Sequence, residues 1–362
     1  MKRTFIISGG GTGGHIFPAL SIASELKQRH PEATIHFVGA RGKMEMQRVP
    51  AAGFEITGVP IAGINRQKPW KSWAVPFKLV YALWLCRSVM KKFQPAVVIG
   101  TGGYASGPAL YVAQKMGIPT LVQEQNSYAG VTNVKLGDGA KLICTAYPNA
   151  QRFFPGSKVR LTGNPVREAF TAALPEQQAS KSALGFDPEK PLLLILGGSL
   201  GARAINVHID KSLEALKAQG WQVMWQCGKL YEKEYVGRTG KGVVVSAFID
   251  DMAKAYAAAD AIVSRAGAGT LSELCLIGKP ALLVPSPNVA EDHQTHNAKA
   301  LSEKGAAVLI PETELDQRFT AELEALLRNK KRGALMGERI RSLALPRATA
   351  DIVDLIEELA RE

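Results

Sequence analysis

Cysteine is scarce in this sequence. The 362 residues contain four, Cys86, Cys144, Cys227 and Cys275, and none of them stands in a CxxC spacing. This pattern favours neither a zinc site nor a disulfide framework. We therefore expect reduced, mostly buried cysteines, as is usual in the cytosol. Aromatic residues are also few, at 7%, while 46% of the residues are hydrophobic, a balance typical of a soluble α/β protein.

We also expect no leader segment. The first residues, Met1-Lys2-Arg3-Thr4, run directly into a strand-like stretch and a glycine loop, which leaves no room for the apolar segment of a signal peptide. We therefore expect the protein to stay in the cytoplasm.

Acidic residues are absent between Glu55 and Glu124, in a chain whose formal net charge is +12. Within this gap, residues 66–92 hold seven Lys or Arg and three of the five tryptophans. Lys78 and Arg87 interrupt the apolar run well short of the ~20 residues that a membrane-spanning helix needs. Aromatic side chains among cations favour contact with an anionic membrane surface. A core helix with a solvated basic face is the alternative, and nucleic acid is disfavoured because the aromatics are not spaced for base stacking.

Glycine is abundant at loop positions. Residues 9–15 (GGGTGGH) and 197–203 (GGSLGAR) each lie between an apolar strand-like run and a helical pattern, which aims backbone N–H groups and a helix dipole at a phosphate. A second glycine-rich turn recurs in each half, at residues 101–107 and 265–273. Neither of the first two is followed by the acidic residue of a dinucleotide site, and no P-loop lysine motif follows any of them. We expect a phosphorylated ligand that is bound without dehydrogenase or P-loop ATPase chemistry.

The strand-loop-helix pattern occurs in both halves of the chain. Its strands are short and nearly uninterrupted in apolar character, which is typical of parallel sheets covered on both faces. The composition turns polar around residues 165–190, and the pattern then restarts. We predict two Rossmann-like, doubly wound α/β domains, residues 1–165 and 166–340, that face each other across a ligand-binding cleft. Residues 341–362 contain an amphipathic helix, which we expect to pack back on the N-terminal domain.

Glu273 has two interpretations. With Thr270 it matches the S/T-x-x-E spacing of a capping box, in which it would stabilise a helix start. Alternatively, its two carboxylate oxygens could accept hydrogen bonds from neighbouring ribose hydroxyls.

Eight motifs follow one another along the chain, from about residue 4 to about residue 310. They are GGGTGGHIFPA, GTGGYASGPA, QEQN, GNPVR, GGSLGA, FIDDM, RAGAGTLSEL and DHQTHNA. Together they closely resemble the MurG family, bacterial glycosyltransferases of the GT-B fold that add N-acetylglucosamine to lipid I in peptidoglycan synthesis. The resemblance implies an inverting hexosyltransferase that acts in cell-wall growth, cell shape and cell division. One departure is Gln123, where relatives commonly have histidine, so no catalytic role is assigned to that position.

The resemblance places the donor, UDP-N-acetylglucosamine (UDP-GlcNAc), mainly on the second domain. It implies that backbone atoms of Ile249 hold the uracil and that Glu273 holds the ribose. The other implied donor contacts on this side are Arg167, Ser199, Ala268, Gly269, Thr270, Leu271, Ser272 and Gln294. From the first domain, the donor would be approached by Thr12, Gly13, Gly14 and Asn126. Arg167 is also chemically suited to a leaving diphosphate, because a guanidinium pairs well with phosphate oxygens.

His15 is the first candidate for the base that takes a proton from the acceptor hydroxyl. It stands at the first turn of a predicted helix, where the positive dipole end favours neutral imidazole. The alternative is that its ring braces the glycine loop or binds substrate. Glu124 is a second candidate base, and it could equally be an ordering element of its loop. Tyr104, Ser106 and Asn126 are expected to contact the acceptor or the donor.

No metal or other cofactor is expected. The sequence has no DxD-type carboxylate cluster in a candidate cleft loop, and Asp250-Asp251 more plausibly starts a helix. Preorganised amides, helix N-termini and Arg167 would stabilise the departing UDP instead.

The expected partners are UDP-GlcNAc, the lipid I acceptor and an anionic membrane surface, together with contacts to other cell-wall synthesis proteins and none to nucleic acid. The expected location is the cytoplasmic face of the cell membrane, as a peripheral protein. Two other functions stay open: a UDP-GlcNAc 2-epimerase, which needs no acceptor, and a non-catalytic nucleotide-binding module.

Overall fold

The computed structural model describes residues 3–61, 75–166, 170, 174–198 and 200–361. The chain divides into two compact units, one made of residues 1–166 with 345–362 and the other of residues 167–344. Each unit is built on a parallel sheet of its own, as the alternating strand and helix patterns predicted.

The first unit has a seven-stranded parallel sheet within the described residues. Its strands are β1 (Thr4–Ser8), β2 (Thr34–Ala40), β3 (Glu55–Val59), β4 (Val97–Gly100), β5 (Thr120–Glu124), β6 (Leu142–Thr145) and β7 (Val159–Leu161). Their order is β3-β2-β1-β4-β5-β6-β7. The helices of this unit are α1 (Gly13–Arg29), α2 (Glu45–Ala51), α3 (Val75–Phe93), α4 (Ser106–Lys115), α5 (Val131–Gly137) and α14 (Ala348–Leu359). The strand order reverses between β1 and β4, and ligands bind beyond the carboxyl ends of strands at such a switch point.

Helices cover both faces of this sheet. Along β1, Phe5 and Ile7 pack with α1 and α14, whereas Ile6 packs with α3 and α4. Successive side chains of a strand point to opposite faces, so a strand buried on both sides must be apolar at every position. This explains the uninterrupted run at residues 5–7.

The C-terminal helix packs on α1. Its Ile352, Val353 and Ile356 join the core beneath that helix. At its surface, Arg29 Nη1 lies 2.5 Å from Asp354 Oδ1. The chain therefore ends in the unit in which it began.

The second unit has a six-stranded parallel sheet within the described residues. Its strands are β8 (Leu192–Leu196), β9 (Gln222–Gln226), β10 (Val243–Ser246), β11 (Ala261–Ser264), β12 (Ala281–Leu283) and β13 (Val308–Leu309), in the order β10-β9-β8-β11-β12-β13. Its helices are α6 (Gln177–Ala183), α7 (Arg203–Ala218), α8 (Glu232–Tyr235), α9 (Met252–Ala258), α10 (Ala268–Ile277), α11 (His293–Ser302), α12 (Leu315–Arg328) and α13 (Lys330–Arg341). The switch point here lies between β8 and β11.

All four cysteines are free and buried, as predicted. Burial raises the pKa of the Cys86, Cys144 and Cys275 thiols to about 12. These thiols are therefore protonated near neutral pH and behave as small apolar core groups.

Helix α3 presents an unusual outer face. Its Phe77, Val80 and Trp84 are 72%, 66% and 60% exposed, while Cys86 and Met90 on the opposite face are buried. Arg87 and Lys91 continue the outer stripe at helical spacing. Within the described part of the chain, no helix has the length and apolar character to cross a membrane.

Candidate active site

Two glycine-rich loops meet at the switch point of the first unit. Residues 9–12 connect β1 to α1, and residues 101–105 connect β4 to α4. Gly10 N donates to Gly102 O at 3.4 Å, and a Cβ on Gly103 would overlap the Gly10 carbonyl oxygen. Gly103 also has a φ of +81°, which disfavours any side chain. The close approach of the two loops therefore requires glycine there.

A buried carboxylate supports the first of these loops. Glu45, the first residue of α2, is fully buried, and its Oε2 accepts from Gly11 N at 2.9 Å. Its Oε1 accepts from Ala40 N at 3.0 Å, at the end of β2. Glu45 thus ties the glycine loop to the neighbouring strand.

His15 lies half-buried in the first turn of α1. Its Nδ1 is 3.0 Å from Thr101 O and 2.9 Å from Gln125 Oε1. A carbonyl oxygen only accepts, so Nδ1 carries a proton, and in the neutral ring Nε2 carries the lone pair. Among the residues that the structure describes, none hydrogen-bonds Nε2. A hydroxyl placed at Nε2 could therefore give its proton to this ring.

Glu124 lies at the end of β5 and is 1% exposed. Its Oε1 accepts from Asn126 N at 2.9 Å and from Asn126 Nδ2 at 3.2 Å. Its Oε2 accepts from Gly130 N at 3.0 Å and from Asn133 Nδ2 at 2.8 Å. Four donors occupy the two oxygens, so this geometry favours the loop-ordering interpretation of Glu124 over that of a base.

The other predicted residues of the first unit differ in accessibility. Exposed or partly exposed positions are held by Thr12, Gly13, Gly14, Tyr104 and Asn126. Ser106, in contrast, is fully buried, and its hydroxyl donates to Gly103 O at 2.8 Å. The Ser106 side chain thus braces the 101–105 loop.

In the second unit, too, glycine-containing loops follow the two strands at the switch point. Residues 197–202 connect β8 to α7, and residues 265–267 connect β11 to α10. A Cβ on Gly228 would overlap the backbone of Gly201, and both glycines have positive φ, +88° and +93°. Two predicted donor contacts, Arg167 and Ser199, lie outside the described residues.

Helix α10 begins at Ala268, the first of the donor contacts that the family resemblance implies there. Gly267 is its N-cap, so the cap residue itself offers no side chain to cap the helix. The capping-box interpretation of Thr270 and Glu273 is therefore wrong, because Thr270 lies inside the helix. Glu273 instead accepts a hydrogen bond from Tyr256 Oη at 3.0 Å. The positive dipole end of a helix lies at its N-terminus, which suits the start of α10 to an anionic ligand.

Within α10 the remaining predicted residues take different positions. Leu271 is buried in the core, whereas Gly269 is partly exposed. The Ser272 hydroxyl donates to Ala268 O at 3.0 Å, within the helix. The backbone of the first turn is thus better placed for ligand contact than the Leu271 side chain.

Ile249 lies in the short segment between β10 and α9 and is buried. Asp251 caps α9 by accepting from Lys254 N at 3.0 Å, which confirms that the acidic pair starts a helix. That backbone hydrogen bond holds the pKa of Asp251 below its ordinary value. Because α9 carries Tyr256, this short helix links the turn after Ile249 to Glu273.

A cavity of about 870 Å³ opens beside the 197–202 loop. Gln294 lines it, with Oε1 accepting from Ser286 N at 2.9 Å. Arg265 lines it too, donating to Val284 O at 3.0 Å and forming an ion pair with Glu312. Of the predicted site residues that the structure describes, Gln294 alone borders this cavity.

Sequence reasoning missed several residues that shape these sites. Gln125 stands inside the QEQN motif and Arg265 begins RAGAGTLSEL, so the motifs marked both without giving them a role. Glu45 stands in no motif. Within the described residues, no group of three or more His, Cys, Asp or Glu side chains is arranged to hold a metal ion.

The two halves of the chain match two family models. Residues 5–144 match the glycosyltransferase family 28 N-terminal domain, and residues 192–352 match the glycosyltransferase family 28 C-terminal domain. The chain belongs to glycosyltransferase family 28.

The family 28 chain has curated relatives named UDP-N-acetylglucosamine–N-acetylmuramyl-(pentapeptide) pyrophosphoryl-undecaprenol N-acetylglucosamine transferase. The relative from Bacteroides fragilis is 49% identical over 99% of this chain and 96% of its own length. The relative from Phocaeicola vulgatus is 51% identical over 99% of this chain and 94% of its own length.

The solved structures of two glycosyltransferases are also similar to the family 28 chain. The crystal structure of Acinetobacter baumannii MurG is 32% identical with a TM-score of 0.80, covering 99% of this chain and 100% of that one. The calicheamicin glycosyltransferase CalG4, 17% identical with a TM-score of 0.69 over 99% of this chain and 98% of its own, shows the fold alone. These likenesses confirm the family resemblance and the GT-B fold that the motifs predicted.

Proposed function

We propose that this chain transfers N-acetylglucosamine from UDP-GlcNAc to the C4 hydroxyl of N-acetylmuramyl-pentapeptide on undecaprenyl pyrophosphate, with inversion at the anomeric carbon. This reaction converts lipid I to lipid II in peptidoglycan synthesis. The observation that carries the proposal is the identity of about half of all positions, along nearly the whole chain, to transferases named for this reaction.

His15 supplies the base of the proposed reaction. The acceptor hydroxyl oxygen bonds to the anomeric carbon while its proton moves to Nε2 of His15. The bond from the anomeric carbon to the diphosphate oxygen breaks, and UDP leaves with that electron pair. His15 then loses its proton to solvent. The tautomer set by the Nδ1 contacts supports this role, because it leaves the Nε2 lone pair for the incoming proton.

The second unit holds the donor in this proposal. The backbone of Ile249 pairs with uracil, and Glu273, oriented by Tyr256, accepts from the ribose hydroxyls. Gln294 forms hydrogen bonds with the hydroxyls of the sugar. The Ala268–Thr270 turn at the start of α10, with Ser199 and Arg167, stabilises the charge that grows on the leaving diphosphate. Because these donors meet that charge, we propose that no metal or cofactor is required.

The first test is transfer of labelled N-acetylglucosamine from UDP-GlcNAc to a lipid I analogue in the presence of EDTA. We expect full activity, because protein donors rather than a divalent cation stabilise the departing UDP. Incubation without acceptor is the control and should leave UDP-GlcNAc intact. Formation of UDP-ManNAc there would replace the transferase with an epimerase. Binding of UDP-GlcNAc without any product would indicate a nucleotide-binding module.

We further propose that residues 66–92 dock this chain on the cytoplasmic face of the cell membrane. Residues 66–74 lie outside the described residues, and the observations that support this docking are on α3. Its Phe77 and Trp84 project into solvent, and Lys78, Arg87 and Lys91 are exposed beside them. Bulky apolar side chains among cations bind the headgroup region of anionic membranes, and an acceptor on a polyprenyl chain would need such docking.

The double variant Phe77→Ser with Trp84→Ser should bind vesicles containing phosphatidylglycerol at least about tenfold more weakly than the wild type, because each lost side chain removes buried apolar area. Cosedimentation measures this. The matched control is Val236→Ser with Leu335→Ser, which removes two side chains of 44% and 45% exposure from the second unit. Equal weakening in both double variants, or none in either, would contradict docking through α3.

A further inference from the structure

We propose that Gln125 is a positioning residue for His15, whose side-chain oxygen acts together with the Thr101 carbonyl oxygen to hold the ring tautomer that leaves Nε2 ready to accept a proton. This inference rests on the proposed transfer reaction and deepens it. Gln125 is 1% exposed and lies 110 residues from His15 along the chain. Its Oε1 is 2.9 Å from His15 Nδ1.

The surrounding acceptors fix the orientation of the Gln125 amide. Its Nε2 lies 2.8 Å from Thr101 O and 2.9 Å from Gln123 O, and it also contacts Gln123 Oε1. All three are acceptors, so the amino group must face them. The oxygen is then the only atom of the amide that can face His15. Because it accepts, Nδ1 must donate.

Two more buried amides hold this orientation in place. Gln123 Nε2 donates to Asn164 Oδ1 at 3.1 Å, which turns Gln123 Oε1 toward Gln125. Asn164 Nδ2 in turn donates to Gln125 O at 3.0 Å. Gln123, Gln125 and Asn164 are all buried. The hydrogen bonds among these three side chains therefore determine which atom of the Gln125 amide faces the His15 ring.

The acceptors that contact Nδ1, Thr101 O and Gln125 Oε1, are uncharged. Two carboxylates border this region, Glu45 from α2 and Glu124 from β5, and both are bonded to loop amides. A neutral acceptor selects the tautomer, whereas a carboxylate in the same place would also stabilise the imidazolium.

The variant Gln125→Glu keeps an uncharged acceptor in this place. The three acceptors that face the Gln125 amino group would repel a carboxylate oxygen, so the new side chain carries its proton there and its other oxygen still accepts from Nδ1. The ring ¹⁵N signals of His15, followed by NMR in the protein without substrate, should therefore keep the wild-type tautomer in Gln125→Glu and move toward the other tautomer in Gln125→Leu. The wild-type spectrum should show the tautomer with the proton on Nδ1.

The variant Gln125→Leu removes the acceptor without adding charge. We expect kcat to fall about tenfold, the equivalent of one hydrogen bond, with KM for UDP-GlcNAc unchanged. The matched control is Gln114→Leu, because Gln114 also donates from a partly buried amide in this unit, to Leu136 O at 2.9 Å, and does not touch His15. This control should leave the His15 signals unmoved.

A wild-type ring with its proton on Nε2 would overturn the proposal. So would a folded Gln125→Leu variant with the wild-type His15 signals, or equal kcat losses in Gln125→Leu and Gln114→Leu. Since the NMR readout needs no substrate, it tests the positioning of the ring separately from the transfer reaction. A chain with the expected NMR shift and no transferase activity would retain the positioning role and lose the proposed function.

Discussion

Replacing His15 by alanine should lower the rate of N-acetylglucosamine transfer at least about 100-fold, because a positioned general base contributes typically 10²- to 10⁴-fold. The loss should appear in kcat, while the affinity for UDP-GlcNAc persists, since the proton moves only in the transition state. The substitution removes the ring and keeps the backbone contacts of the loop. Thr101 Oγ1 still donates to His15 O at 2.8 Å, and the residue 15 N–H still bonds Thr12 O at 3.2 Å.

The control for this experiment lies just beyond the other end of the same helix. His30 follows the last residue of α1, and its Nε2 is 3.1 Å from Glu357 Oε1. His30→Ala should leave transfer within about twofold of the wild type, because the contact with α14 that it removes lies at the opposite end of α1 from the glycine loop. If His15→Ala keeps more than about a tenth of the wild-type rate, the ring is a brace for the loop, and the base must be sought elsewhere.

Periodicity was sufficient to predict the sheets and the loops that follow them. A run such as residues 5–7 is apolar at every position because both faces of β1 are covered, and that requirement is local to the strand. Glycine at Gly103 is likewise visible in the sequence. Residue 103 must be glycine because the Gly10 carbonyl oxygen lies where a side chain would be. That contact becomes evident only when β1 and β4 are known to be neighbours in the sheet.

Contacts between distant segments could not be predicted from residue types. Gln125 and Glu45 are buried polar side chains whose partners lie 110 and 34 residues away. An isolated Gln or Glu carries no periodic signal, since its hydrogen-bond partner is chosen by the fold rather than by spacing. The family resemblance marked the QEQN motif, but the orientation of each amide needed the coordinates.

The capping box failed for a related reason. Thr270 and Glu273 have the correct spacing, but the N-cap is the earlier Gly267, with a φ of −68° and a ψ of 140°. The glycine turn after β11 thus starts the helix before the threonine is reached. Glu273 instead accepts a hydrogen bond from Tyr256, which is 17 residues away along the chain. A rule about local spacing does not consider such a contact.

Glu124→Gln should weaken the loop that follows β5 and lower transfer through that loop. An amide offers one acceptor oxygen where the carboxylate offers two, and its amino group would face either the Asn126 donors or those of Gly130 and Asn133. Leaving a buried donor unsatisfied costs about 1–3 kcal/mol. The amide protons of Asn126 and Gly130 should therefore exchange with solvent at least about tenfold faster than in the wild type.

Glu25→Gln is the matched control, because the same change falls there on the surface of α1. Glu25 Oε1 is 2.7 Å from Arg29 Nε in a partly exposed i,i+4 pair, and helix pairs of this spacing are worth about 0.3–0.5 kcal/mol. It should leave both exchange and transfer nearly unchanged. In Glu124→Gln, the transfer rate and the protection of these amide protons against exchange should fall together, because the backbones of Gln125 and Asn126 belong to the same ordered segment. Loss of transfer with exchange at the wild-type rate would instead make the carboxylate a chemical participant, and His15 would then be the group that orders the site.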